Sequence, residues 1–257
     1  MHKVYWFIYC KGKILLQLNS DGNYIVPSDN SQFTDLSGVV FHHTYELANG
    51  LSVNSIEVNC EQTFNGMKYV PLRQSFFMLP SWQYELAGKF IELIYWDKET
   101  QYCGRCGTKL EYSTDISKNC PNCNHTIWPS LQLAIIVLIK RGNQILLVQS
   151  RNFKGDYMGL LAGFVETGET LEQAVVREVA EETQLQIKNL RYIRSQAWPF
   201  PCNLMAGFVA DYEAGEIKIQ ESELKKAGWF TRNNLPALPD GASIARQLID
   251  LWQDELI

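Results

Sequence analysis

Three glutamates, Glu178, Glu181 and Glu182, stand at i, i+3 and i+4 in the run REVAEET. On a helix that spacing gathers them on one face. Carboxylates crowded in this way repel one another unless a counter-charge is present. A hard divalent cation such as Mg2+ or Mn2+ takes oxygen ligands of this kind, and it typically works together with substrate phosphates. The helix has its own start signal, because Thr170 and Gln173 have the spacing of a capping box. Leu171, Val175 and Val179 at i, i+4 and i+8 give it a stripe to turn towards a core. Arg177 is placed to brace Glu169 across the helix entry. The segment Leu161-Ala162-Gly163 leads into it, and a glycine there lets backbone approach a metal or a phosphate closely. The competing reading is a solvated acidic face; the apolar stripe and the glycine argue against it.

A second set of residues has metal-ligand spacing. Cys103 and Cys106 form one C-x2-C pair, and Cys120 and Cys123 another. Each such turn presents two thiolates to one point, and zinc takes four on a tetrahedron. All four ligands being cysteine, the site is closed and structural. Glycines at 104 and 107 are expected to permit the tight turns, and His125 is read as a bystander. The remaining three cysteines, Cys10, Cys60 and Cys202, cannot pair off among themselves, which fits a reducing compartment.

These residues need elements to hold them. VYWFIYC and ILLQL flank a Lys-Gly turn, and GVVFHHTYEL and LSVNSIEVN flank Asn49-Gly50; both read as hairpins. A helix follows, with Ser81 as its expected N-cap and an end near Asp97. LAIIVLIK and ILLVQS form a further hairpin, followed by the acidic helix, the strand-like runs NLRYIRSQ, LMAGFVADY and GWFT, and a last helix over about 241–256 whose face carries Ile244, Leu248 and Trp252. FIYCKGKILLQL echoes VLIKRGNQILLVQS, which reads either as a degenerate copy of the third region without the acidic helix or as the ordinary likeness of two hairpins. The expected domains are 1–98, β-rich; 99–128, a zinc ribbon; and 129–257, catalytic. The chain has 257 residues, 46% of them apolar, and a formal net charge of -5. That composition is globular, and no basic field invites nucleic acid or an anionic membrane. No signal peptide or bilayer-length apolar run is read, so the expectation is a cytoplasmic protein with no membrane partner.

The segment from Gly163 to Leu185 resembles the Nudix box, G-x5-E-x7-R-E-U-x-E-E-x-G-U, where U is a bulky aliphatic residue. Gly163, Glu169, Arg177, Glu178, Val179, Glu181, Glu182 and Leu185 match; Gln184 replaces the late glycine, so a changed helix exit is expected. The resemblance implies an α+β fold: a C-terminal Nudix αβα sandwich, a β-rich degenerate Nudix-like N-terminal domain and a small zinc ribbon between them. It also implies metal-dependent hydrolysis of a nucleoside diphosphate linked to another moiety. Glu178 and Glu182 would then be metal ligands, Glu181 a ligand or general base, and the backbone carbonyl of Ala162 a further ligand.

Downstream, Ser195 to Asn203 reads SQAWPFPCN and resembles the SQPWPFPxS signature of the zinc-containing NADH pyrophosphatase branch, the NudC-like one. Ala197 departs from proline and Asn203 from serine. The resemblance implies cleavage of NAD(H) to AMP and nicotinamide mononucleotide, removal of NAD caps from RNA 5′ ends, and a homodimer. It makes the loop from Gln196 through Ala197, Trp198, Pro199, Phe200, Pro201 and Cys202 to Asn203 substrate-binding. Trp198, Phe200 and Phe164 would offer flat faces to the rings of a dinucleotide, and Gln196 and Asn203 hydrogen bonds to a ring edge or ribose. By the same likeness Arg73, Asp115, Trp128 and Ala245 are substrate neighbours and Glu223 a distal metal ligand; Asp115 and Trp128 stand where the branch commonly has Glu and Tyr. The alternatives are a broader ADP-ribose or dinucleotide hydrolase and a non-catalytic nucleotide- or RNA-binding regulator. The intact Glu178, Glu181 and Glu182 argue against the last.

Overall fold

Lys11 and Gly12 both take left-handed backbone angles, φ 49° and 77°, which is what a two-residue hairpin turn needs. The turn joins β1 (Val4–Cys10) to β2 (Lys13–Leu18), with Cys10 opposite Lys13. In this computed structural model residues 3–29, 33–153 and 155–257 are described. The chain divides into two compact units, Met1–Ser130 and Leu131–Ile257.

In the first unit the strands β3 (Tyr24–Ile25), β4 (Val39–Glu46), β5 (Ser52–Val58) and β6 (Met67–Pro71) complete a sheet of order β3-β2-β1-β5-β4, with β6 paired to β2. Gly50, at φ 77°, makes the Asn-Gly turn between β4 and β5. A short helix α1 (Leu72–Ser75) precedes α2 (Ser81–Glu99). Pro80, not Ser81, is the N-cap of α2, and no side chain caps it. The ring of proline pre-sets the entry, and Ser81 becomes the first helical residue. One face of the sheet packs on α2, where the Tyr9 hydroxyl donates to Ala87 O at 2.7 Å and Phe7 meets Phe90 at 5.0 Å between centroids. The other face buries Ile8, Cys10, Leu15, Phe33, Ile56 and Val58 together. The cysteine segment belongs to this unit as a three-stranded sheet of β7 (Glu111–Thr114), β8 (Ser117–Asn119) and β9 (Thr126–Ile127). The buried Lys118 ties it to α2 through an ion pair with Asp97 at 2.6 Å.

The second unit repeats the pairing order of the first. Here β10 (Gln132–Arg141) and β11 (Gln144–Ser150) form the hairpin; β12 (Leu161–Phe164) pairs with β10; and α3 (Leu171–Thr183) leads to β13 (Gln186–Trp198), β14 (Asn203–Ala214), β15 (Leu224–Thr231) and α4 (Ile244–Gln253). The sheet runs β13-β14-β10-β11-β15. As β1 pairs antiparallel with β2 and parallel with β5, so β10 pairs antiparallel with β11 and parallel with β14. Lys140 opposite Ile145 occupies the register of Tyr9 opposite Ile14. The echo between the two hairpin sequences is therefore carried into the sheets.

Strand alternation explains the layers. Ile135, Val137 and Ile139 point to the side where α3 buries Ala174, Val175 and Val179. Ile136 and Leu138 point to the opposite side, where α4 buries Ile244, Ala245, Leu248, Ile249 and Trp252. This is the αβα sandwich. Each fully buried aliphatic side chain contributes about 1.5–3 kcal/mol, so both helices are held firmly against the sheet. The expected capping box is present in full on Thr170 and Gln173. The exit of α3 is not changed by the loss of glycine: Gln184 itself takes the left-handed angles, φ 58° and ψ 21°, and its N–H still donates to Ala180 O. Gly215 makes room beside it, since a Cβ there would lie 2.7 Å from Gln184 O.

Among the groups on α2, Glu92 is half-buried, its Oε1 has no hydrogen-bond partner, and burial pushes its carboxyl up to about 7. The folded protein therefore holds that proton more tightly than the unfolded chain. The associated stability is full below the ordinary carboxylate range and is lost as pH rises through about 7. Glu92→Gln is expected to raise the melting temperature at pH 8 and to leave it unchanged at pH 4, as read by thermal melts.

Candidate active site

Gly163 sits on β12 opposite Ile135 of β10 and directly under α3. A Cβ at this position would lie 2.0 Å from the Glu178 carboxyl carbon. Only glycine lets that carboxylate lie against the strand. One turn of helix brings Glu181 and Glu182 beside it. Glu182 is buried and Glu181 is exposed. The loop before β15 brings Glu223 to the same place: Gln220 N–H donates to Glu182 O at 2.9 Å, and Glu223 N–H to Gln220 O at 3.0 Å.

Arg177 organises the entry to α3. Its Nε and Nη2 donate to the two oxygens of Glu169 at 2.6 and 2.9 Å, Nη1 to Glu178 at 3.0 Å and Glu181 at 3.1 Å, and Nη2 also to Phe164 O at 2.9 Å. The bidentate hydrogen bonds of Arg177, helped by the N–H of Glu166, hold Glu169 down at about 2. Glu178 and Glu182 move the other way. Burial raises both, and for Glu182 the neighbouring charges of Glu178, Glu223 and Glu181 add to it, bringing the group to about 7. These carboxylates lie in a site that disfavours negative charge, and among the described residues no Lys, Arg or His borders the cavity they face. Their donor set is oxygen alone, which suits a hard divalent cation. Among the described residues, the four cysteines are the one group of three or more His, Cys, Asp or Glu whose ligand atoms lie within 4.8 Å of one another; the glutamates are not drawn together to that distance.

That cavity has a volume of about 640 Å³ and lies in the second unit, within the range of small-molecule sites. Ala162, Gly163, Glu166, Glu178, Glu181, Glu182 and Glu223 border it on the acidic side, and Phe153, Phe164, Trp198 and Asn203 supply rings and an amide. Trp198 ends β13, opposite Asn203 at the start of β14, so Pro199 to Cys202 form the connection. Phe200 meets Trp198 edge-on, with 5.0 Å between centroids. Asn203 is 7% exposed; its Nδ2 donates to Phe200 O at 3.1 Å, and its Oδ1 has no partner in the protein.

The four cysteine thiols form a second candidate metal site in the first unit. Sγ–Sγ distances are 3.6 Å for Cys103–Cys123, 3.4 Å for Cys106–Cys120 and 3.6 Å for Cys106–Cys123. A tetrahedral ion with sulfur bonds of about 2.3 Å sets neighbouring sulfurs about 3.8 Å apart, so the set fits one metal ion. In both knuckles the residue after the second cysteine is left-handed: Gly107 at φ 73° and Asn124 at φ 55°. The expected role of Gly104 is thus taken by its neighbours. His125 is not among the grouped ligands.

Residues 130–252 match the NUDIX domain family. The NAD-capped RNA hydrolase NudC of Pectobacterium atrosepticum is 48% identical over 65% of this chain and 65% of its own length. Proteins of the same name are 42% identical in Chromobacterium violaceum, over 71% of this chain and 69% of the relative, and 44% identical in Pseudomonas aeruginosa, over 73% and 68%. The chain belongs to the Nudix family. Within the family its relatives place it on the NudC-like branch; the alignment with the first relative spans just under two thirds of that protein.

The structure distributes the expected Nudix substrate residues unevenly. Phe164, Trp198 and Asn203 border the cavity, whereas Ala197, Pro199, Phe200, Pro201 and Cys202 do not. Ala197, one residue from Trp198 along β13, is on the strand's opposite, exposed face. Both ends of the Gln196 amide are engaged: Nε2 donates to Ala242 O at 2.9 Å, and Oε1 accepts from Ile244 N–H at 2.7 Å. It caps the start of α4 and so fixes the turn carrying Ala245, itself buried in the core. Arg73 is in α1, Asp115 Oδ1 accepts from His43 Nε2 at 3.1 Å in the turn between β7 and β8, and Trp128 is 61% exposed; all three belong to the first unit. Sequence reasoning missed Phe153, Asn152, Ser150 and Gln220. Ser150 ends β11 and the other three sit on loops, all outside any motif, and no spacing marks them. Glu166 was detectable in principle, three residues before Glu169.

Removing the Gln196 amide strands a helix N–H and a carbonyl, a loss of about 1–3 kcal/mol. Gln196→Met is therefore expected to lower the unfolding free energy by that amount, measured by urea denaturation in the absence of nucleotide.

Proposed function

We propose that this chain hydrolyses the pyrophosphate bond of NAD(H) to AMP and nicotinamide mononucleotide, and removes NAD caps from RNA 5′ ends. The observation that carries the reading is one cavity bordered both by a desolvated carboxylate cluster and by aromatic side chains. A pyrophosphate suits the first once cations neutralise it, and a flat nucleotide ring suits the second. The name carried by the relatives in three bacteria supports the same substrates.

In this reading Glu178, Glu182, Glu223 and the Ala162 carbonyl hold Mg2+ or Mn2+. Such a cation neutralises the pyrophosphate and lowers the pKa of an attacking water. Glu181, exposed beside them, ligates or takes the proton of that water. Arg177 keeps Glu169, Glu178 and Glu181 in place. Phe164 and Trp198 hold a ring, and the unpartnered Asn203 Oδ1 accepts a hydrogen bond from the ligand. The other residues of the loop, with Arg73, Asp115, Trp128 and Ala245, are proposed as its substrate neighbours. The cysteines hold a structural Zn2+. We further propose a division at 1–98, 99–128 and 129–257, a homodimer and a cytoplasmic location; among the described residues no helix is long and apolar enough to cross a membrane.

A panel of NAD, NADH, ADP-ribose, FAD and NAD-capped RNA with Mg2+ or Mn2+ tests the substrate. NADH is expected to be cleaved more efficiently than ADP-ribose, and the reverse order would reject the reading. Glu182→Gln and Glu178→Gln should each lower kcat on the order of 100-fold or more with unchanged far-ultraviolet circular dichroism; near-normal turnover would remove them from the site. Native mass spectrometry is expected to find one Zn2+ per chain, lost in Cys120→Ser.

A further inference from the structure

Between β11 and β12 the chain builds a pair of stacked rings at the edge of the cavity. Phe153 borders the cavity, and its ring lies on Tyr157 with 4.7 Å between centroids and only 17° between planes. The pair is seated by two glycines. A Cβ on Gly155 would come within 2.9 Å of the Tyr157 ring, and one on Gly159 would touch the Phe153 ring at 3.4 Å. The base of the loop is pinned beside the carboxylates, because Arg151 N–H donates to Glu223 O at 2.8 Å and Phe153 N–H to Ser150 O at 3.2 Å. Nothing in the catalytic reading uses this pair, and its Phe153 ring borders the cavity. Trp198 has its ring met edge-on by Phe200, and Phe164 stands on β12.

We infer that Phe153, braced by Tyr157, is a stacking surface for one of the two rings of the dinucleotide. The inference rests on the pyrophosphatase reading and deepens it. A dinucleotide carries a flat heterocycle at each end, and the cavity offers aromatic faces from three separate elements: the loop after β11, β12, and the end of β13. Tyr157 and Gly159 hold the Phe153 ring at the edge of the cavity. Stacking a base on such a face contributes roughly 1–3 kcal/mol, which is about tenfold or more in affinity. The ring is either the adenine or the nicotinamide, and the two products separate them.

The test measures inhibition of NADH cleavage by AMP and by nicotinamide mononucleotide in wild type, Phe153→Leu and Phe153→Trp. Phe153→Leu is expected to raise the inhibition constant of one product about tenfold, to leave the other within about twofold, and to raise KM with little change in kcat. Phe153→Trp should restore the affinity. If AMP responds, adenine is the ring; if the mononucleotide responds, nicotinamide is. Inhibition constants that do not move, or that both rise together with a fall in melting temperature, overturn the stacking assignment while NADH cleavage by the wild type stands. A wild type that neither cleaves NADH nor binds either product overturns the functional reading and this inference with it.

Discussion

A single guanidinium serves the acidic entry of the second unit. Arg177 spends two donors on Glu169, one on Glu178 and Glu181, and shares one with the carbonyl of Phe164. Glu182 and Glu223 receive nothing from it, and among the described residues no cationic side chain borders the cavity they face. Burial, and then the charges of Glu178, Glu223 and Glu181, raise Glu182 well above its ordinary range. A protein that gathers carboxylates with too little positive charge keeps a standing demand for a cation. Much of the surrounding structure answers that demand. Glycine at 163 clears the ground under Glu178, the capping box fixes where the helix starts, and the backbone bonds of Gln220 and Glu223 set the fourth carboxylate opposite Glu182.

The scaffold under this arrangement is a sheet used on both faces. Alternate residues of β10 divide between the core under α3 and the core under α4, so the acidic helix has a rigid floor. The first unit has the same strand pairing and a helix in the place of α4, but among its described residues no counterpart of α3. The pairing recurs in the first unit without the helix that carries the glutamates. Its cysteine segment instead offers four thiols to one metal ion.

Much of this was legible in the sequence where a local rule forced it. Thr170 and Gln173, Arg177 and Glu169, the Asn-Gly turn and the two cysteine pairs are short-range patterns whose spacing fixes their geometry. The exceptions are instructive. Gln184 carries the left-handed exit that glycine usually supplies, since one unfavourable residue costs only about 1–2 kcal/mol and Gly215 relieves its neighbourhood. The amide of Gln196 joins β13 to Ala242, just before α4, and to Ile244, its first residue, 46 and 48 residues away along the chain. No pattern in one sequence reveals a partner at that distance. Phe153 escaped for a similar reason: a cavity wall built from a loop has no period to read, and only the folded chain shows which rings meet.

The account turns on the claim that these carboxylates, seated over Gly163, form a divalent-cation site. Direct Mn2+ binding, followed by the loss of the free-ion paramagnetic resonance signal, tests it most directly in wild type and in Gly163→Ala. The methyl group added at 163 must displace the Glu178 carboxylate, which lies 2.0 Å from where it would stand. The account predicts saturable Mn2+ binding by the wild type, weakened at least about tenfold in Gly163→Ala, with the metal content of the cysteine site unchanged. Equal Mn2+ affinity in the two proteins, or none in the wild type, would contradict it.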